Sequence, residues 1–123
     1  MGPASTYRAT LESLAAKAAN AARRNKPTMW AYYLDMIDGL RAWFAGIEGD
    51  GAFAGAALAL SQRAENECPS LGHMEAARLW ALGVYARRIL AAWGVGNGPR
   101  VSLSWLRDRS TAASGDGEGG GRG

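Results

Sequence analysis

The run Leu71 to Trp93, LGHMEAARLWALGVYARRILAAW, constrains this chain more than any other stretch. It is the longest uninterrupted helix-like segment. At about 100° per residue, Leu79, Leu82, Ala86, Ile89, Leu90 and Trp93 fall on one face. Trp80, Val84 and Ala91 make a second apolar strip beside it. Arg78, Tyr85 and Arg88 occupy the remainder, and Arg87 borders the Trp80 strip. A helix apolar over more than half its circumference needs neighbours on two sides, from this chain or from another. Ser70, after Pro69, is the expected N-cap, and Gly94 and Gly96 give the stop.

The other segments also read as helices. Ala and Gly are abundant while Val and Ile are few, which disfavours strands. Residues 5–25 form a first helix capped by Ser5 or Thr6, with Tyr7, Leu11, Leu14, Ala18 and Ala21 on its inner face. Lys17 and Arg24 lie along one flank; Arg8, Arg23 and Lys26 lie toward the other. Pro27 breaks or restarts the chain. Residues 28–48 form a second helix, capped by Thr28. Its core face is Trp30, Tyr33, Leu34, Ile37, Leu40, Phe44 and Ile47, widened by Met29, Met36 and Trp43. After the Gly49-Asp50-Gly51 turn, with Asp50 as the cap, a third helix covers Ala52 to Asn66. Phe53, Ala56, Ala57, Leu60 and Ala64 share its inner face. The expected fold is therefore all-α: a four-helix bundle over residues 1–93. A connector and a short docked segment over 94–109 and a disordered Gly-rich tail over 110–123 follow.

A chain of 123 residues with 48% hydrophobic content can bury one core. Net charge is +3, but its distribution says more. Residues 1–26 carry five basic residues and one acidic, 27–68 carry two basic and six acidic, and 69–109 carry six basic and two acidic. Helices with basic ends and an acidic middle make a polarised surface. A lone cysteine, Cys68, excludes an internal disulfide. With the lone His73 it also falls short of a zinc ligand set, so no metal and no cofactor are expected. The N-terminus lacks the plan of a signal peptide, and no apolar run is long enough to span a bilayer, so a cytoplasmic protein with no membrane partner is expected.

No catalytic signature appears. Asp35 and Asp38 share a helix face, and paired carboxylates can hold metal or move protons. On a surface of small residues they serve solvation, with Arg41 placed for an i,i+3 pair to Asp38. His73 and Glu75 suit a helix start, and nothing near Cys68 lowers its thiol pKa. Gly94, Gly96 and Gly98 run into Pro99 and lack the strand and the Lys-Ser of a phosphate loop.

The basic residues are the functional candidates: Lys17, Arg23, Arg24 and Lys26 from the first helix and its end, Arg78, Arg87 and Arg88 from the fourth, and Arg100, Arg107 and Arg109 after it. Arginines can hold phosphates bidentately, and Trp80 or Trp105 offers a stacking surface. Two readings follow from the residues. Either the chain binds nucleic acid through its backbone, or it meets protein partners, including copies of itself, through Trp80 and Val84.

Three stretches carry a resemblance to a known family. Ala4-Ser5-Thr6-Tyr7, then Leu11 and Leu14, leads to Arg23-Arg24-Asn25-Lys26-Pro27. Tyr32-Tyr33-Leu34 runs through Ile37 to Leu40. Arg78-Leu79-Trp80-Ala81-Leu82-Gly83-Val84-Tyr85-Ala86-Arg87-Arg88 follows. Over roughly residues 4–90 the layout resembles the small helical subunit of CRISPR Cascade-type effector complexes. More narrowly, it is similar to the C-terminal helical part of the large subunit in the C subtype of type I systems, which can also be made as a separate protein. Glu75-Ala76-Ala77 lies where that family usually has Gln-Gly, and Arg87 stands where it has Gln. The resemblance implies a non-enzymatic subunit that packs as copies in a larger complex. It would support the guide–target duplex and the displaced strand by contacts that are not sequence-specific, and serve antiviral defence.

Overall fold

The computed structural model describes residues 2–94. Over them the chain forms four α-helices: α1 (Pro3–Arg23), α2 (Pro27–Trp43), α3 (Asp50–Glu67) and α4 (His73–Gly94). A 3-10 turn, Cys68–Ser70, joins α3 to α4, and no strand occurs among the described residues. The all-α four-helix expectation holds. The proposed appendage and tail lie outside the described residues, apart from Gly94, which ends α4.

The helices pair in chain order. α1 lies against α2, and α3 lies more extensively against α4. The two hairpins meet mainly where α1 packs on α4, with smaller contacts of α1 to α3 and α2 to α4. Leu14, Met36, Leu40, Leu60, Ile89 and Leu90 fill the space between them and are essentially inaccessible to water. At one end three rings close the core. Tyr7 lies 4.9 Å from Phe44 and 5.0 Å from Phe53, and the two phenylalanines stack at 5.4 Å. Each ring comes from a different helix or its cap, so this cluster fixes α1, α2 and α3 at one point.

Small residues set the closest approach. A Cβ built on Gly83 would stand 2.7 Å from the Ala64 Cβ, well inside van der Waals contact, so α3 and α4 touch there with almost no side chain between them. Gly39 of α2 likewise admits the Leu82 methyls.

The helix starts differ from the sequence-based expectation, for a common reason. α1 begins at Pro3, where a missing N–H costs nothing, not after Ser5 or Thr6. Its free amides are met from another helix: the Ala4 N–H donates to Asp50 Oδ1 at 3.0 Å. Asp50 was expected to cap its own helix. Instead it occupies the first turn of α3 and caps α1, and Gly2 leaves room for its carboxylate. Thr28 is likewise inside α2, which starts at Pro27. Ser70 does not cap α4, because its hydroxyl donates backward to the Glu67 carbonyl at 3.0 Å. α2 stops at Trp43 and not near residue 48, because Gly46 takes a φ of +77° and turns the chain.

α2 also presents its faces differently. Met36 and Leu40, with Phe44 at its C-cap, are buried one turn apart. Trp30 and Met29, expected in or beside the core, are 43% and 45% exposed. The first two turns of α2 are therefore only partly covered by the rest of the bundle. Farther along, Trp43 is tied down, its indole N–H donating to the Ala56 carbonyl at 2.8 Å.

Candidate nucleic-acid interface

The turn between α1 and α2 decides where the basic residues go. Asn25 adopts a left-handed φ of 56°. The Lys26 amide then reaches the Ala21 carbonyl at 2.9 Å and the Asn25 amide the Ala22 carbonyl at 3.1 Å. This is the paired-bond ending of a Schellman motif, and asparagine tolerates its left-handed residue better than most side chains. The sharp reversal brings Lys26 and Met29 back over the end of α1. With Lys17, Asn20, Arg24 and Tyr33 they line a hollow of about 150 Å³.

A second hollow adjoins it, and a third adjoins the second. The second, of about 180 Å³, shares Lys17 and adds Thr6, Thr10 and Ser13 of α1 with Tyr85 and Arg88 of α4. The third, of about 290 Å³, shares Tyr85 and Arg88 and adds Tyr32, Ala77, Trp80, Ala81 and Val84. Shared lining residues make the three one surface groove across α1, α2 and α4. Among the described residues its cations are Lys17, Arg24, Lys26 and Arg88, and no described carboxylate lines any part of it. None of these four forms an ion pair among the described residues.

Tyr85 stands at the junction. Burial pushes its phenol above 10.0, Tyr32 and Tyr33 push it the same way, and Arg88 pulls it back. It is therefore a neutral hydroxyl at physiological pH, able to donate to an anion. The Arg88 guanidinium lies 5.5 Å from its ring. Tyr32 and Tyr33 meet edge to face at 5.6 Å and so connect the aromatic hollow with the cationic one.

The remaining basic candidates are placed otherwise. Arg78 pairs with Asp35 at 3.1 Å, each side chain being 44% exposed. An exposed pair of this kind contributes about 0–1 kcal/mol, so it does not lock Arg78. It does give Asp35 a structural partner on α4, while the pair expected between Asp38 and Arg41 is not among the ion pairs of the described residues. Arg87 is committed more firmly. It donates to Glu65 Oε2 at 3.5 Å, and the Glu65 side chain is only 4% exposed. Moving Arg87 to a phosphate would break this contact with a largely buried carboxylate. Its guanidinium also lies 4.6 Å from the Trp80 ring centre. Arg23 does not line the groove itself, but it donates to the Oδ1 of Asn20, which does, at 3.4 Å.

Of the partner-surface candidates, Trp80 is 46% exposed and Val84 is half-buried beside it, and both line the aromatic hollow. Sequence reasoning missed Thr6, Thr10, Ser13, Asn20 and the paired tyrosines 32 and 33. Thr6, Thr10, Ser13, Lys17, Asn20 and Arg24 recur every three or four residues, so they form one polar strip along α1 that the spacing alone contains. The contribution of Tyr32 and Tyr33 depends on how α2 is rotated, which the spacing does not contain.

No metal-holding group of His, Cys, Asp and Glu occurs among the described residues. The Cys68 thiol is raised above 9.0 by burial and by Glu67, against a lowering by Arg87, and it donates to the Ala76 carbonyl at 3.4 Å. A raised thiol is a poor nucleophile at neutral pH. No described helix is long and apolar enough to cross a membrane. Comparison with protein-family models, with curated proteins and with solved structures gives no match.

Proposed function

We propose that this chain is a non-catalytic helical subunit of a nucleoprotein effector complex, contacting the nucleic-acid backbone without reading sequence. One observation carries the reading: the groove that gathers Lys17, Arg24, Lys26 and Arg88 with no carboxylate among the described residues on its walls. Cations spaced along a groove attract a polyanion by releasing its counterions, a term indifferent to base identity. Hydroxyls of Thr6, Ser13 and Tyr85 add hydrogen-bonding capacity for phosphate oxygens. The resemblance over residues 4–90 to the small helical subunit of CRISPR Cascade-type complexes agrees with such a role. In that setting the partners are other protein subunits, copies of this chain, and RNA or DNA.

The test is oligonucleotide binding by the purified chain across a salt series. Affinity falls as salt rises. Lys17→Ala with Arg88→Ala weakens binding at low salt and reduces the log–log slope by about 1.5–2, one phosphate contact per cation removed. Arg63→Ala, on α3 and paired with Glu67 away from the groove, changes the slope much less. No binding at low salt overturns the reading.

A second reading draws on the exposed indole of Trp80 beside Val84: a helical adaptor or oligomerisation protein, of phage or mobile-element origin, that works through protein contacts. Self-association on a sizing column without oligonucleotide binding would favour it.

A further inference from the structure

The largest of the three hollows is built differently from the other two. Trp80 lies on α4 between two flanks. Toward α3, the Arg87 guanidinium lies 4.6 Å from the indole centre and is held in turn by Glu65 at 3.5 Å. Toward α2, the same indole borders the hollow that Tyr32, Val84 and Tyr85 enclose. Trp80 is thus exposed yet restrained: a cation anchored on a buried carboxylate lies against its ring, and the residue also lines the hollow. At about 290 Å³ the hollow is near the lower limit for small-molecule sites and has room for one planar ring system. Arg88 lines it and also lines the neighbouring hollow with Lys17, Thr10 and Ser13. A ring in the aromatic hollow therefore has a cationic, hydroxyl-rich strip next to it.

We propose that this hollow holds an unstacked nucleobase, with the adjoining phosphates along Arg88 and Lys17, so that the groove takes single-stranded nucleic acid in preference to duplex. The inference rests on the nucleic-acid reading above and specifies its strand class. Bases inside a duplex are paired and stacked on one another and cannot enter a side hollow, whereas a single strand presents its bases for stacking on aromatic rings. Stacking depends on the π-face that every base has, so the site is tolerant of sequence. Glu65 and Arg87 are positioning residues for Trp80, not phosphate ligands.

The experiment uses the full chain and three fluorescein-labelled probes of equal length: oligothymidylate, the same backbone with abasic units, and a duplex. Binding is read by anisotropy at fixed low salt. The wild type binds oligothymidylate about tenfold or more tighter than the abasic strand, the range expected for one stacked base. It also binds oligothymidylate more tightly than the duplex. Trp80→Ala abolishes the difference between oligothymidylate and the abasic strand, while Trp80→Phe keeps most of it. Lys17→Ala weakens the oligothymidylate and abasic strands alike. Trp80 is half exposed, and helical content by circular dichroism checks that each variant folds. Equal affinity for all three probes, unchanged in Trp80→Ala, overturns the base site and leaves the backbone-binding function standing. Failure of every probe overturns both. Self-association that Trp80→Ala abolishes, with no probe bound, assigns the hollow to a second copy of the chain and likewise overturns both.

Discussion

Tyr7 stands where α1, α2 and α3 meet, and its chemistry makes the core sensitive to alkali. Burial raises its phenol above 10.0, with Arg41 pulling partly the other way. In the unfolded chain a tyrosine ionises near its ordinary value of about 10. The folded chain holds the proton to a higher pH, so the stabilisation is complete below about pH 10 and is lost as pH rises through the folded value. Urea midpoints measured between about pH 8 and 11 should therefore fall, and fall less steeply in Tyr7→Phe than in the wild type. Parallel slopes would show that the Tyr7 proton is not held by the fold. At this scale the sequence was partly legible. Leu14, Ala18, Ala21, Leu40, Phe53, Leu60, Ile89 and Leu90 are buried as their spacing requires. Trp30 and Met29 are not, because hydrophobicity does not say which part of an apolar helix its neighbours will reach. Among the basic residues, charge identified the candidates. The split between Arg87, tied to Glu65, and Arg88, open to the groove, turns on one step of the helix and on a partner 22 residues away.

The helix elements are held by size as much as by hydrophobicity. Gly83 on α4 and Ala64 on α3 pack so closely that an added methyl has no room. Gly83→Ala gains about 0.5–1 kcal/mol in helix propensity. Overpacking costs about 1–3 kcal/mol, so net destabilisation is expected. Ala64→Gly in the same chain should recover part of that loss, giving a favourable interaction energy in a double-mutant cycle followed by chemical denaturation. Strict additivity would mean that the two Cβ positions do not meet. Helix number and approximate extent were readable from periodicity, because four apolar stripes separated by Pro and Gly leave few alternatives. Helix starts were not. Ser5, Thr6, Thr28 and Ser70 have the right chemistry for caps, but Pro3, Pro27 and the Asp50 carboxylate determine where the helices begin. A cap supplied from a distant helix leaves no local pattern for sequence reasoning to find.

At the scale of the molecule, two hairpins divide the work. α3 packs along α4 and holds Glu65 and Ala64 against it, fixing the helix that carries Trp80 and Arg88. α1 and α2 bring the cations and tyrosines of the opposite wall. The candidate groove exists only when both hairpins are docked, so its outline was hidden from one-dimensional reading even though its cations were not. The bond between the Ala4 amide and Asp50 spans 46 positions and joins the start of the first hairpin to the start of the second. It carries a message about time. As the chain is synthesised, α1 is complete well before Asp50 exists, so its first turn must wait, open to solvent, for α3 to arrive. The Ala4 amide is thus a witness to docking rather than to helix formation. In hydrogen–deuterium exchange it should be protected in the intact chain and exchange faster in Asp50→Ala, while the amides around Ile89 stay protected. Equal protection in both proteins would mean that α1 closes its own end.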